Sequence, residues 1–224
     1  RELFKNAIIW CFDFSMVSSF LEDYIHRIFF REKERWKIIC VIAGVFSLQL
    51  KRLFIVGPMG VGKTTVGKLL ANELGLRFID SDREIERRTG TNISWIFDVE
   101  GEKGFRDREE QVLEELTKEE NVLVATGGGS VLRERNRENL KIRGLVIYLN
   151  ADLMLLVKRT KDDTKRPLLK GKNVKKVLEK MLRDRSSLYK EVSDIEINLA
   201  EKSSKNTVAK IMEALAKEAE IGKS

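Results

Sequence analysis

Residues 57–64 read Gly57-Pro58-Met59-Gly60-Val61-Gly62-Lys63-Thr64, the pattern G-x-x-x-x-G-K-[ST]. Glycines at this spacing let backbone N–H groups curl around the β- and γ-phosphates of a nucleotide without Cβ obstruction. A helix starting at Lys63 would aim its positive end at the same anion. Lys63 brings a mobile cation to those oxygens, and Thr64 offers a hydroxyl to Mg²⁺. An incidental glycine-rich turn is the bland alternative, and the strand before the loop and the helix after it argue against it. A dinucleotide site is a weaker rival, because Lys63-Thr64 stands where such a site wants no cation. The loop therefore predicts a mononucleotide triphosphate site.

Further candidates lie downstream. Asp80-Ser81-Asp82 spaces two carboxylates about 6–7 Å apart if the segment is extended. One could face a metal while the other accepts or orients a substrate hydroxyl; equally, Asp82 could cap a helix beginning at Arg83. In Phe105-Arg106-Asp107-Arg108-Glu109, Arg106 and Glu109 share a helical face at i,i+3. Their spacing reads as a surface salt bridge, although a guanidinium also suits a planar carboxylate ligand. Thr126-Gly127-Gly128-Gly129-Ser130 suits either a tight turn or backbone N–H groups facing a ligand. Arg166-Pro167-Leu168-Leu169 sits in a charged loop of the kind that closes over phosphates. Arg185 reads by default as a solvated charge.

Composition narrows the chemistry. Both Cys (Cys11, Cys40) and the only His (His26) fall in the first 50 of 224 residues, together with ten of seventeen aromatics. The rest therefore has no thiol nucleophile, imidazole base or Cys/His zinc site. Two Cys are too few for a disulfide scaffold. The net charge of +7 comes from 42 Lys and Arg against 35 Asp and Glu, interleaved as on solvated helices, so no nucleic-acid partner is expected. The longest uncharged stretch, Ile38 to Leu50, is 13 residues and too short to span a bilayer. Asp13 interrupts the only apolar run resembling a secretory signal, so a soluble cytoplasmic protein without a membrane partner is expected.

The elements that must hold these residues follow from periodicity. Strands are predicted at Leu53–Val56, Arg77–Ile79, Val122–Ala125, Leu145–Leu149 and Ile195–Ile197. Helices are predicted at 63–74, 82–89, 93–99, 102–119, 152–159, 174–188 and 206–219, with a loop at 160–173. Such alternation indicates a parallel sheet covered on both faces, with ligands at the carboxyl ends of its strands. Residues 1–50 break the rhythm. Phe14, Val17, Leu21, Ile25 and Ile28 have helical spacing there. The segment is either an extension of unknown role or sequence upstream of the true start.

Taken in order, six stretches resemble shikimate kinases, small P-loop kinases of aromatic amino-acid biosynthesis. They are Gly57–Thr65, Asp80-Ser81-Asp82, Gly104–Glu109, Thr126–Ser130, Arg166–Leu169 and Arg185 through Leu188-Tyr189. The likeness runs from Lys51 to Ala219, about three-quarters of the chain. It implies an α/β, three-layer P-loop NTPase fold of the nucleoside monophosphate kinase type, occupying 51–224, with a five-stranded parallel sheet in order 2-3-1-4-5 and a lid at about 160–173. It implies that ATP phosphorylates the 3-hydroxyl of shikimate, giving shikimate 3-phosphate and ADP, in a monomer. Gly60, Val61, Gly62, Lys63, Thr64 and Thr65 would hold the ATP phosphates. Thr64 would ligate Mg²⁺, and Asp80 would reach it through water. Asp82 would bind shikimate hydroxyls and act as base, and Lys63 and Arg166 would neutralise charge on the transferring phosphoryl group. Arg106 and Arg185 would hold the substrate carboxylate, with backbone contact from Gly128. Arg159 would stack on adenine, beside Lys202, where relatives often carry Gln. The nearest rival is another kinase of this fold, such as a gluconate kinase, for which an Arg106/Arg185 clamp is less natural. A non-catalytic nucleotide-binding module would not need Lys63, Thr64, Asp82 and Arg166 together.

Overall fold

A computed structural model describes residues 52–161, 173–199 and 203–221. Five parallel strands, β1 (Arg52–Val56), β2 (Arg77–Asp80), β3 (Val122–Ala125), β4 (Leu145–Ala151) and β5 (Ile195–Leu199), form one sheet in the order β2-β3-β1-β4-β5. Leu53–Val56 of β1 and Val122–Val124 of β3 are wholly buried. A strand covered on both faces can be apolar without interruption. Edge strand β5 alternates buried and exposed residues instead.

Helix α1 (Lys63–Leu74) follows the first loop and stops at Gly75, as its apolar face and that glycine predict. It lies on one face of the sheet with α7 (Ser204–Ile221). The other face, Phe54, Val56, Val122, Val124, Val146 and Tyr148, packs on helices α3 (Ile93–Leu116), α4 (Glu134–Arg143) and α6 (Val174–Val192) through Phe105, Val112, Leu113, Leu140 and Tyr189. Short helices α2 (Ser81–Thr89) and α5 (Leu153–Thr160) follow β2 and β4. The expected break between Val99 and Glu102 is real: Gly101, at φ 71° and ψ −178°, joins two helical segments within α3. A side chain would be strained at that φ. Among the described residues no helix is long and apolar enough to cross a membrane. The helical pattern at Phe14–Ile28, Arg166 in the lid and Lys202 all lie outside the described residues.

Helix α4 is the element that periodicity does not foresee. Its buried residues are Asn136, Asn139 and Leu140, so it has no apolar stripe to detect. Asn136 is wholly buried and its Nδ2 donates to the Ser130 carbonyl at 3.0 Å. Ser130 heads the 3-10 turn (Ser130–Leu132) that closes the glycine-rich loop. This helix is thus tied to the loop by hydrogen bonds from Asn136 and Arg137, in addition to the packing of Leu140 in the core. Replacing Asn136 by Ala should lower the unfolding free energy by about 1–3 kcal/mol, because the Ser130 carbonyl loses its donor. Asn136→Leu, which keeps bulk but cannot donate, should be no better. Urea unfolding of both variants checks this, and wild-type stability in the Leu variant would show that the bond is not what matters.

Candidate active site

The sheet order brings the loops after β1 and β3 side by side. The Thr126 backbone N–H and hydroxyl donate to the Ile55 carbonyl at 3.0 and 3.2 Å, stitching the two loops at their roots. Gly62 is the N-cap of helix α1; it adopts φ 101° and supplies no side-chain cap. Only glycine takes that conformation without strain, and an uncapped start leaves the first N–H groups for a ligand. Lys63 is buried, and its Nζ donates to the carbonyls of Gly57 (2.7 Å) and Pro58 (2.9 Å), folded across the loop. Thr65 stands exposed on the first turn. Arg159, at the end of α5, donates to the Val61 carbonyl at 2.9 Å. It edges a cleft of about 320 Å³ lined also by Gly60, Gly62, Thr65, Leu199 and Thr207.

The acidic pair sits differently from the extended spacing anticipated. The strand ends at Asp80, and α2 starts at Ser81. Asp80, not Asp82, is the helix cap: its Oδ1 accepts from the N–H groups of Asp82 (3.1 Å) and Arg83 (3.3 Å). Its Oδ2 accepts from the Thr64 hydroxyl at 2.7 Å. Asp82 is therefore released from capping, and its Oδ1 is sealed from solvent with no hydrogen-bond partner among the described residues.

The Arg106–Glu109 pair is likewise no surface bridge. Arg106 is 7% exposed and Glu109 is fully buried, with Nη1 donating to Oε2 at 2.6 Å. Arg106 Nη2 also donates to Glu102 Oε1 at 3.1 Å, while its Nε and Glu109 Oε1 have no partner among the described residues. The glycine-rich loop lies directly over these groups. A Cβ at Gly129 would fall inside the Arg106 guanidinium, and one at Gly127 would lie 2.5 Å from Glu109 Oε1 and 2.6 Å from Asp82 Oδ1. Ser81 Oγ accepts from the Gly127 N–H at 2.9 Å and so fixes the loop over both carboxylates. From α6, Arg185 Nη1 donates to the Gly128 carbonyl at 3.2 Å, and the Tyr189 hydroxyl donates to the same oxygen. The Cβ position of Gly128 is 3.2 Å from the Met59 backbone nitrogen, so the two glycine loops touch. Two guanidiniums, a partnerless carboxylate oxygen and a phosphate loop thus meet at one place.

Comparison with known proteins agrees with that constellation. The family model of shikimate kinase matches residues 59–216. The chain belongs to the shikimate kinase family. It is 49% identical over 166 residues to a shikimate kinase of Vibrio parahaemolyticus, covering 73% of this chain and 96% of that one. Among solved structures it is similar to the shikimate kinase of Acinetobacter baumannii in complex with shikimate, at 46% identity and a TM-score of 0.74, over 75% of this chain and 94% of the other. The Aquifex aeolicus shikimate kinase matches at 33% identity and a TM-score of 0.67, over 75% and 98%. Membership makes the chain an enzyme, a kinase of aromatic amino-acid biosynthesis that uses ATP and acts on shikimate.

Of the residues expected at the site, Gly60, Val61, Gly62, Thr65 and Arg159 line the cleft beside α1, and Lys63, Thr64 and Asp80 are joined by hydrogen bonds at the phosphate loop. Asp82, Arg106, Gly128 and Arg185 meet at the glycine-rich loop after β3, whereas Arg166 and Lys202 lie outside the described residues. Residue spacing alone misses the burial of Glu109, the cap at Asp80, the Ser81 tie and the Tyr189 hydroxyl. A charged i,i+3 pair beside Phe105 and three residues before Val112-Leu113 is the one signal that this helical face turns inward. Burial, reinforced by the negative charges of Glu109 and Asp80, pushes the Asp82 carboxyl up to about 7, while Lys63 and Arg106 oppose the rise. Burial likewise raises Glu109 against the pull of Arg106.

In the ligand-free enzyme the unfolded chain ionises Asp82 in the ordinary carboxylate range, but the native state holds its proton up to about pH 7. Stability is therefore lost as pH rises across that interval and stays lost above it. Asp82→Asn should melt higher than wild type at pH 8, by at least about 1 kcal/mol or 2–4 °C, and nearly equal at pH 4.5. Melting curves at the two pH values decide it; an equal difference at both would show that the ionised Asp82 carboxylate carries no burden.

Proposed function

We propose that this cleft transfers the γ-phosphoryl group of ATP to the 3-hydroxyl of shikimate, giving shikimate 3-phosphate and ADP. The observation that carries the assignment is the convergence of Arg106, Arg185 and the partnerless Asp82 oxygen on one glycine-rich loop in contact with the phosphate loop. A carboxylate bearing hydroxyls on the opposite side of a small ring suits these groups: the guanidiniums engage the acid, and Asp82 the hydroxyls.

The N–H groups from Gly60 to Thr65 and the Lys63 ammonium hold the phosphates, and Lys63 exchanges its carbonyl partners for phosphate oxygens. Thr64 Oγ1 and Asp80 Oδ2, 2.7 Å apart at the start of α1, are hard oxygen donors of the kind Mg²⁺ takes. Thr64 would hold the ion directly and Asp80 through water. When bound, Mg²⁺ offsets the charge of the β- and γ-phosphates. The Asp82 carboxylate orients the 3-hydroxyl and takes its proton as the new O–P bond forms and the bond from γ-phosphorus to ADP breaks. A base poised near neutrality suits that transfer. Gly128 contributes backbone contact to the acceptor, and Arg159 lies along adenine. Arg166 of the lid at about 160–173 adds positive charge over the transferring group, and Lys202 flanks the adenine, both by family likeness. The enzyme works as a cytoplasmic monomer without nucleic acid or membrane, again by family likeness.

ADP release with Mg²⁺-ATP should require shikimate, and gluconate should not replace it. Asp82→Asn should retain ATP binding while turnover falls at least about 10²-fold, the scale of general-base loss. Wild-type-like turnover in that variant would remove Asp82 from the chemistry. Arg106→Ala should weaken shikimate binding about 10–100-fold, as for a buried charged hydrogen bond, with far less effect on ATP. Calorimetric titration of each ligand separates that outcome from a parallel loss of both affinities, which would signal a folding defect.

A further inference from the structure

Arg185 and Tyr189 lie one turn apart on the same face of α6, and both donate to the Gly128 carbonyl. The two donors are unlike. Arg185 is half-buried beside the glycine-rich loop, on a flexible stem whose charge suits an acidic ligand. Tyr189 is 1% exposed and rigidly held, its ring stacked on Tyr148 with centroids 5.1 Å apart and planes at 22°. Tyr148 is itself fully buried in β4, in register with Val56, the residue that leads into the phosphate loop. Burial pushes the Tyr189 phenol well above its ordinary pKa, so it keeps its proton and remains a donor. One carbonyl thus has a fixed donor and a movable one.

We propose that Tyr189 is a positioning residue for the acceptor substrate: its hydroxyl keeps the Gly128 carbonyl satisfied, so that the Arg185 guanidinium can leave that carbonyl for the substrate carboxylate. The inference rests on the carboxylate role given to Arg185 above. Without the phenol, Arg185 is the only donor left to Gly128 among the described residues. Drawing it onto a substrate would then strand a carbonyl beside the cleft, and part of the binding free energy would be lost. The phenol also fixes the peptide plane between Gly128 and Gly129, whose N–H points opposite to the carbonyl because the bond is trans. The backbone of the acceptor loop is therefore oriented before substrate arrives.

Tyr189→Phe keeps the ring and its stack and removes only the donor. In the full-length chain, the dissociation constant for shikimate should rise about tenfold, equivalent to about 1.4 kcal/mol, while the ATP constant changes by less than about twofold. If the hydroxyl acts through Arg185, the double variant Tyr189→Phe/Arg185→Ala should bind shikimate no more weakly than Arg185→Ala alone. Additive losses in the double variant, a shikimate constant within twofold of wild type in Tyr189→Phe, or a parallel fall in ATP affinity would each overturn the inference. If Arg185→Ala weakens shikimate binding and Tyr189→Phe does not, only the role of Tyr189 falls. If Arg185→Ala binds shikimate like wild type, the carboxylate role of Arg185 falls and the inference with it.

Discussion

Glu109 is a carboxylate with no access to water, and the glycine-rich loop after β3 is arranged around it. An ion in that position is held only where an opposite charge and good hydrogen-bond geometry offset its desolvation. Arg106, one turn earlier on α3, supplies both through a 2.6 Å contact. The pair needs a cover that excludes solvent yet adds no bulk, and residues 127–129 provide it, because side chains at Gly127 and Gly129 would strike Glu109 and Arg106. Ser81 and Asn136 then fix that cover by hydrogen bonds from two different helices. Burying one charge pair thus accounts for the glycines at 127 and 129 and for the inward turn of Asn136, while the Glu109 charge adds to the burial that already raises the Asp82 carboxyl.

The same arrangement explains how a domain without His or Cys beyond residue 50 can catalyse transfer. Phosphoryl transfer asks for positioning and charge neutralisation more than for a strong nucleophile. The sheet order places β1 next to β3, and the loops leaving their carboxyl ends touch where Gly128 meets the Met59 backbone. The two loops are consequently in direct backbone contact. Asp80 links them further, since one oxygen holds Thr64 of the phosphate loop while the other caps the helix that carries Asp82. Both hydroxyl and carboxylate are therefore set by one short chain of hydrogen bonds.

Where apolar pattern governs structure, residue order is enough. The uninterrupted run Leu53–Val56, the stripe of α1 ending at Gly75 and the break at Gly101 are all legible, because buried parallel strands and amphipathic helices leave periodic marks. The phosphate loop is legible too, since its glycines and Lys63-Thr64 answer to a single geometry. Strand order is not carried by periodicity; it came from likeness to shikimate kinases, and β2-β3-β1-β4-β5 agrees with it. Helix α4 escapes, as two of its three inward residues are asparagines and Leu140 alone makes no periodic stripe.

Residue types by themselves err at this site in one direction. Arg106, Glu109 and Asn136 are types that belong outside, and Asp82 reads equally as a cap; each is drawn inward or given a different task. Burying such groups is unfavourable unless every partner is supplied, so an unpartnered polar atom in the interior marks a place where stability has been set aside for another purpose. Asp82 Oδ1, Glu109 Oε1 and Arg106 Nε are three such atoms around one loop. All three belong to residues packed against positions 127–129, so a side chain at Gly127 or Gly129 would have to displace the charged groups themselves.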